Sequence, residues 1–308
     1  MPNFSKPEKI AQKAVKQLKT PGEKRENIRN TDKIPSDTSS KHAERAFTGF
    51  ERYLQANKLG NIYDANPDKV KSYLDERSQK ADPVTLNQER EALNKWLYHV
   101  NQNQVPKNEI KEKGQQPGRE LSKKSRYYTK EQVDKIQEAQ TEKNALATKV
   151  AYEAGLRAHE LQTIAKPSEQ PPDKRPWRQD RFIGKEQDEK TYTVIGKGGL
   201  IREITISKET AQHLEQRRLM EPKNIMDRNK KYTVKYDIGK GNSWSASFTK
   251  ASKRQLGWSK GAHGLRHSYA QERMNQLQNQ HYTYSDARQV VSQELGHFDI
   301  SKTNDYLR

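Results

Sequence analysis

The chain has 308 residues, with 58 Lys and Arg against 40 Asp and Glu, which gives a formal net charge of +18 at pH 7. This excess of positive charge predicts a polyanionic partner. Only 31% of the residues are hydrophobic and there is no cysteine, which excludes disulfides and thiol catalysis and predicts a thin core. No signal peptide and no apolar span of membrane length is visible, so we expect a soluble, cytoplasmic protein without a membrane partner.

The first segment, residues 1–37, is rich in Lys, Pro, Asn, Ser and Thr. This composition predicts a basic flexible tail, or an arm that docks on DNA or on a partner subunit. Part of it has the spacing of a short basic helix that Pro21 and Gly22 would end. The apolar face of that helix would be formed by Ile10, Ala14, Val15 and Leu18.

Residues 38–104 have the periodicity of a small helical domain. The first helix begins near Ser39 and ends at Gly60, a natural stop signal. The second begins at Asn66-Pro67, which reads as a cap followed by the first helical position. The third runs from about Pro83 to Val100. Their aromatic residues lie on apolar stripes, which favours a core role over base stacking.

Residues 105–126 have almost no apolar periodicity and carry prolines and glycines, so we predict a linker between two domains. The second domain, residues 127–308, opens with a helix capped at Thr129 and continues with a helix from about Thr141 to Ala154. The charged stretch from Lys166 to Lys190 reads as an insertion without assigned chemistry. We therefore expect a mainly α protein with a small β-sheet in its C-terminal domain, an α+β class.

Two hairpins are predicted in this second domain. Apolar residues alternate from Thr191 to Ile206 on both sides of GKGG, which predicts a β-hairpin with a glycine-rich turn. A second hairpin is predicted from Tyr232–Tyr236 and Trp244–Phe248, which flank GKGN. The remaining elements are helical, and they cover residues 208–220, Thr249 to Leu256, a stretch after Ser285 and a short final helix with Tyr306.

The last fifty residues concentrate groups that suit phosphodiester chemistry. The segment HGLRH spans His263 to His267, LGH ends at His297, and Tyr306 follows nine residues later. A phosphodiester in transfer gathers charge on its non-bridging oxygens, and Arg266 offers a planar, permanently charged fork for two of them. His263 lies three residues earlier, on the same face of a helix. His297 adds a donor, and Tyr306 adds an oxygen nucleophile that can store the broken bond as a phosphotyrosine.

This arrangement resembles the C-terminal signature of the tyrosine recombinases, the phage-integrase family. The resemblance covers about residues 40–308 and has two further boxes. AGLRAHEL places Arg157 with Glu160 one helical turn later, and YTVIGKGGLIREITI places Lys197 in the glycine-rich turn. It implies a core-type DNA-binding domain followed by a catalytic domain. Its catalytic residues would be Arg157, Lys197, His263, Arg266, His297 and Tyr306, with Glu160 and His267 supporting them.

The resemblance implies a site-specific recombinase that cleaves and rejoins double-stranded DNA through a 3′-phosphotyrosine and a Holliday junction, as the integrase of a mobile element does. It implies a homotetramer on two DNA sites, accessory DNA-bending or directionality factors, and no cofactor or metal. Family members continue past the tyrosine into a helix that packs on a neighbouring subunit, whereas this sequence ends at Leu307-Arg308. Either the tail is absent or the sequence is shortened, and without the tail protomers would be coupled through another surface, such as the N-terminal arm.

Several other interpretations stay open at this point. Lys240, in the second turn, is a rival for Lys197. His263 and His267 have a zinc-like spacing, but no third ligand accompanies them. GKGG lacks the spacing of a phosphate-binding P-loop. A type IB topoisomerase-like enzyme that relaxes DNA, or an inactive basic DNA-binding protein, would share many of these features.

Overall fold

The computed structural model describes residues 6–20, 23, 31–101, 125–185, 188–227 and 230–307. The chain divides into two compact units, Met1–Glu120 and Leu121–Arg308. Most of the predicted linker at 105–126 lies outside the described residues. Within the described part of the chain, every helix is too short or too polar to cross a bilayer.

The first unit is helical. Its helices are α1 Pro7–Leu18, α2 Asp37–Ala56, α3 Pro67–Ser78 and α4 Pro83–Asn101, with a short 3-10 helix at Ile62–Asp64. The caps follow from the sequence, since Ser36 accepts a hydrogen bond from the Ser39 amide and Asn66 accepts one from the Lys69 amide. The aromatic stripes meet in the core, where the rings of Phe47 and Trp96 lie 5.7 Å apart.

At the N-terminus of the first unit the predicted short basic helix is present, but it packs on the core and is not part of a flexible tail. Within the segment predicted as a flexible tail, Pro7–Leu18 forms α1, which packs against α2. Ala14 and Leu18 are fully buried there, and Lys19 pairs with Asp37 at 2.7 Å. Ile10, Ala14, Val15 and Leu18 therefore stabilise this helix by packing on the core, although residues 1–37 are mostly polar.

In its described residues, the second unit combines six helices with two antiparallel hairpins. The helices are α5 Lys130–Glu138, α6 Glu142–Glu153, α7 Lys208–Gln216, α8 Gly241–Leu256, α9 Gly264–Asn279 and α10 Tyr284–Glu294. Strands β1 Glu189–Ile195 and β2 Ile201–Ser207 form the first hairpin, and β3 Arg218–Asp227 and β4 Lys230–Tyr236 form the second. Short 3-10 helices occur at Glu160–Gln162, Lys197–Gly199 and Ile300–Asp305.

The predicted α+β class and the hairpin around GKGG are confirmed. The predicted second hairpin is wrong, because Tyr232–Tyr236 pairs with β3 and Trp244–Phe248 lies inside α8. The apolar residues 244, 248 and 251 recur at helical spacing and are buried, so they form the inner face of a helix. The predicted helix over 208–220 ends at Gln216, after which the chain turns into β3.

Candidate active site

The first arginine lies in the loop after α6. Gly155 has φ +60°, a left-handed conformation that turns the chain, and a Cβ there would lie 2.8 Å from the Tyr269 ring. Two residues on, Arg157 donates from its backbone amide to Glu160 Oε2 at 2.9 Å and from Nη1 to Oε1 at 2.8 Å. Both oxygens of Glu160 therefore fix Arg157, whose side chain is 20% exposed.

The second arginine, Arg266, lies in the first turn of α9 and is fully buried. Its Nη1 donates to the Gly155 carbonyl at 2.6 Å, and its Nη2 donates to the Leu295 carbonyl. Burial lowers the pKa of Arg266 to about 10, although the charge of Glu160 opposes this. Arg266 is thus protonated at neutral pH, and the main chain fixes its orientation.

His297 connects the two arginines. It follows Gly296, which ends α10 in the left-handed region at φ +71°. Its Nε2 lies 2.8 Å from Arg157 Nη2 and 3.2 Å from Arg266 Nη2. Both guanidinium groups can only donate, so Nε2 is an acceptor here and the ring proton belongs on Nδ1.

Glu160 is the anion at the centre of this cluster and is fully buried. It accepts hydrogen bonds from Arg157 and, at 3.1 Å, from Arg202 Nη2, while Arg266 Nη1 lies 3.9 Å away. Burial alone would raise the pKa of Glu160, but the charges of Arg202, Arg266 and Arg157 outweigh it and hold the pKa well below its usual range. Three cations thus share one permanent carboxylate.

Tyr306 follows the 3-10 helix Ile300–Asp305 and lies over this cluster. The Cζ atom of Arg266 is 5.3 Å from the centre of its ring. The rings of His267, His297 and His263 lie 4.9, 5.5 and 5.6 Å from it. The phenol of a single chain is therefore already beside the arginines of the same chain.

The histidines of the site are neutral near neutral pH. Burial and then the charge of Arg266 lower the pKa of His297 to about 3. Burial and then the charge of Arg126 lower that of His267 to about 4. Loss of water and the charge of Arg266 also lower the pKa of His263, which is the most exposed of the three rings. Each can accept a proton during a reaction.

Lys197 lies at the tip of the first hairpin, beside two glycines with positive φ. It is exposed and lines the same open cleft, of about 1140 Å³, as Arg157, His297 and Tyr306. Further cations on the walls are Arg126, Lys260 and Lys302. The positive charge of these walls therefore suits a polyanion that enters the cleft from outside.

The rival residues lie elsewhere. Among the described residues that line the cleft, Lys197 is present and Lys240 is absent. Lys240 precedes α8 and donates to the Ile238 carbonyl at 3.1 Å. Tyr282 and Tyr284 lie just before or at the start of α10, and Tyr284 is 52% exposed. In the described parts of the chain, no group of three or more His, Asp or Glu residues could hold a metal ion.

One buried cation of the cleft, Arg202, was missed in the sequence analysis. It lies on β2 in the same phase as Ile204 and Ile206, which face the core. An arginine in phase with the buried side of an alternating strand is a detectable signal, because a fully buried charge requires a partner. Its partner, Glu160, lies 42 residues away in sequence.

Comparison with known proteins defines the class of fold. No protein-family profile and no curated protein sequence matches this chain. Solved structures do, and they show that the chain has the fold of site-specific recombinases and integrases. The predicted resemblance to the tyrosine recombinases is thereby supported at the level of the fold.

Three of these structures are informative. The XerH site-specific recombinase, in a post-cleavage complex with its palindromic difH substrate, is 17% identical, with a TM-score of 0.54 over 88% of this chain and 76% of that one. The Tn1549 transposon integrase in complex with transposon right end DNA is 14% identical, with a TM-score of 0.52 over 97% of this chain and 95% of that one. A lambda integrase dimer bound to a COC′ core site is 14% identical, with a TM-score of 0.55 over 96% of this chain and 76% of that one.

Proposed function

We propose that this protein is a tyrosine-type site-specific DNA recombinase, and that it acts as the integrase of a mobile element. The observation that carries the proposal is the convergence of Arg157, His297 and Tyr306 in one basic cleft, with the buried Arg266 in contact with His297 and with the Tyr306 ring. The shared fold supports it, because the similar structures are recombinases and integrases bound to DNA.

The first step forms a covalent enzyme–DNA bond. Tyr306 Oη attacks the phosphorus and its proton passes to the neutral imidazole of His263, whose ring lies 5.6 Å away. The bond from phosphorus to the 5′ oxygen breaks, and Lys197 donates a proton to that oxygen. The products are a 3′-phosphotyrosine and a free 5′ hydroxyl. Attack by a 5′ hydroxyl from another strand reverses the step without an external energy source.

The arginines and His297 stabilise the charge that gathers on the phosphate. A phosphate oxygen is a stronger acceptor for Arg157 and Arg266 than a neutral imidazole, so phosphate binding releases Nε2 of His297. The negative charge of the phosphate also favours a protonated His297, which then donates to it. His267 supports the site by packing its ring against Tyr306 at 4.9 Å. The proposed step uses neither a metal nor a nucleotide cofactor.

The partners follow from the same chemistry. A formal charge of +18 suits double-stranded DNA. Exchange of strands between two sites needs four copies of the active site, so the assembly we propose is a homotetramer that passes through a Holliday junction. Accessory DNA-bending or directionality factors would set the direction of the reaction. The protein would act in the cytoplasm, on the nucleoid.

Trapping of the covalent intermediate tests the nucleophile. DNA duplexes that span the ends of the element encoding the protein are prepared with a nick next to the cleavage position. After cleavage, the short fragment that carries the free 5′ hydroxyl diffuses away and cannot reverse the step. We expect wild-type protein to accumulate a covalent complex that survives denaturing gels. Tyr306→Phe should form none, whereas Tyr284→Phe, which removes an exposed phenol outside the cleft, should match wild type. Normal trapping by Tyr306→Phe would overturn the assignment.

A plasmid assay separates the recombinase from its rivals. We expect plasmids that carry two copies of the element ends to give recombinant products. Relaxation of supercoils without recombinants would instead identify a topoisomerase-like enzyme. Binding without any covalent complex would identify an inactive DNA-binding protein. Either of these results contradicts the proposal.

A further inference from the structure

We propose that Arg202 is a positioning residue that fastens the Lys197 hairpin to the phosphate-binding groups, so that the lysine reaches the leaving oxygen. This inference rests on the proposed function. It concerns a residue at the wall of the cleft that is itself fully buried. Its action would be through Lys197.

The contacts of Arg202 join three separate segments. It lies on β2 and is fully buried. Its Nη2 donates to Glu160 Oε2 at 3.1 Å, which ties it to the loop of Arg157. Its Nε donates to the Glu294 carbonyl at 3.1 Å, three residues before His297. One guanidinium group thus connects the hairpin to the loops that carry the first arginine and the last histidine.

The turn of the hairpin lies close to the ion pair of Arg202 and Glu160. Arg202 pairs with Val194 in the hairpin register, and the turn closes where the Gly196 amide donates to the Leu200 carbonyl at 2.7 Å. A Cβ on Gly196 would lie 3.5 Å from Glu160 Oε1 and 3.7 Å from Arg202 Nη1. The residue next to Gly196 is Lys197, so the arginine–glutamate pair supports the backbone from which the lysine extends.

The loop of His297 packs against the same side chain. A Cβ on Gly296 would lie 2.8 Å from Arg202 Cδ and 3.2 Å from Nε. Glycine at this position lets the loop approach the arginine closely. Displacement of Arg202 would therefore move the hairpin and the histidine loop relative to each other.

The hydrogen bonding of Arg202 is incomplete. Among the described residues, its Nη1 is buried without a hydrogen-bond partner. Such a nitrogen is unfavourable for folding, and an apolar side chain of similar length would avoid it. Positioning of the lysine gives a reason for a charged group here.

The inference predicts a defect in one chemical event, protonation of the leaving 5′ oxygen. A substrate with sulfur in place of that bridging oxygen releases a thiolate, which leaves without a proton. Such a substrate does not need Lys197 in place. It still needs Tyr306, Arg157, Arg266 and His297, because these act on the attacking oxygen and on the phosphate.

The test compares single-turnover cleavage of oxygen and sulfur substrates by the full-length protein. Arg202→Met removes the charge and keeps the length of the side chain, and Arg202→Lys keeps the charge but not the two-directional hydrogen bonding. The matched control is Arg273→Met, because Arg273 is also buried and bonds Glu294 and the Ile183 carbonyl, away from the hairpin. Lys197→Met provides the reference for loss of the acid.

We expect Arg202→Met to cleave the oxygen substrate about 100-fold more slowly, the cost of displacing a catalytic group by a small distance. On the sulfur substrate it should return to near the wild-type rate, as Lys197→Met should. Arg273→Met should be slowed equally on both substrates. If Arg202→Met is poorly folded by thermal unfolding, Arg202→Lys carries the same comparison.

The outcomes are distinguishable from failure of the proposed function. If wild type cleaves neither substrate, the proposed function is wrong. If wild type cleaves both and the Arg202 variants are equally slow on both, Arg202 has only a structural role and the inference is overturned. Full activity of the Arg202 variants on the oxygen substrate would overturn it as well.

Discussion

The Nη2 nitrogen of Arg157 lies 2.8 Å from Nε2 of His297, on a residue 140 positions further along the chain. Arg266 reaches the same nitrogen at 3.2 Å. One imidazole nitrogen thus accepts from both guanidinium groups. The free protein therefore has its arginine pair already assembled.

Removal of the His297 imidazole should slow the cleavage step more than it weakens DNA binding. We expect His297→Phe to lower the rate of covalent complex formation by about 100-fold, as for loss of one oriented donor to a developing charge. Its affinity for DNA should change little, since the net charge of +18 remains to attract the DNA backbone. Gel-based trapping and fluorescence anisotropy measure the two quantities. The exposed helical residue His213 provides a control, and His213→Gln should behave as wild type.

Acidification should destabilise the folded protein through the same imidazole. The pKa of His297 is lowered to about 3 in the folded protein, whereas that of a histidine in the unfolded chain is near 6.5. Between pH 6.5 and pH 3 the unfolded chain therefore binds more protons than the folded protein does. The contribution of His297 to stability is present above about pH 6.5 and is lost as the pH falls toward 3. At pH 5 the loss should be on the order of 2 kcal/mol at most.

Urea unfolding at pH 7 and pH 5 measures this effect. His297→Gln cannot titrate, so it should lose less stability between the two pH values than wild type does. An identical loss in both proteins would show that His297 does not carry the pH dependence. Because a bound anion favours the protonated ring, added sulfate should reduce the loss in wild type only.

Neutralisation of Glu160 should unfold the site. Glu160→Gln leaves Arg157, Arg202 and Arg266 without their shared anion in a buried position, and breaking such a pair costs about 3–5 kcal/mol. Chemical denaturation measures the change. Glu203→Gln is the matched control, because Glu203 lies on the same strand as Arg202 and bonds Arg181 at 2.8 Å, with a side chain that is 31% exposed. A loss below about 1 kcal/mol in Glu160→Gln, typical of surface pairs, would contradict this account.

The close approach of Gly296 to Arg202 can be measured against a second glycine. Gly296 and Gly257 have φ +71° and +77°, so alanine strains the backbone similarly at both, by about 1–3 kcal/mol. A Cβ at Gly296 would meet Arg202 at 2.8 Å, whereas at Gly257 nothing lies within 4 Å. Gly296→Ala should therefore be the less stable variant and should also lose cleavage activity. Equal stability of the two variants would argue against a tight contact.

The position of Tyr306 predicts cleavage in cis. Its ring lies 5.3 Å from Arg266 of the same chain, so we expect each protomer to combine its own proposed nucleophile with its own proposed phosphate-binding group. A mixture of Tyr306→Phe and Arg266→Lys proteins should form no covalent complex beyond that of Arg266→Lys alone. Restored trapping in the mixture would show that one protomer supplies the tyrosine to the other.

Much of the site could be predicted because its parts lie in short, recognisable segments. HGLRH, LGH, AGLRAHEL and the glycine-rich turn each carry local signals, and the structure brings their side chains into one cleft. The shared acceptor could not be predicted, because the contact between Arg157 and His297 depends on how α9 and α10 pack against the loop after α6.

The errors of the sequence analysis have physical causes. Trp244 and Phe248 are aromatic residues near a glycine-rich segment, which favours strands locally, but burial against α5 and α6 favours the helix α8. Pro7–Leu18 has a polar composition, and its contacts with α2 and α4 make it part of a core. Arg202 was overlooked because its partner is remote in sequence, although its phase on β2 was visible.

The orientation of Arg266 depends on the carbonyl groups of Gly155 and Leu295. Every amino acid carries a carbonyl group, so replacement of the surrounding side chains leaves these two acceptors unchanged as long as the path of the chain is kept. These two contacts of Arg266 can therefore be kept while most of the sequence changes. Such tolerance fits a chain that keeps a common architecture with proteins only 14–17% identical to it.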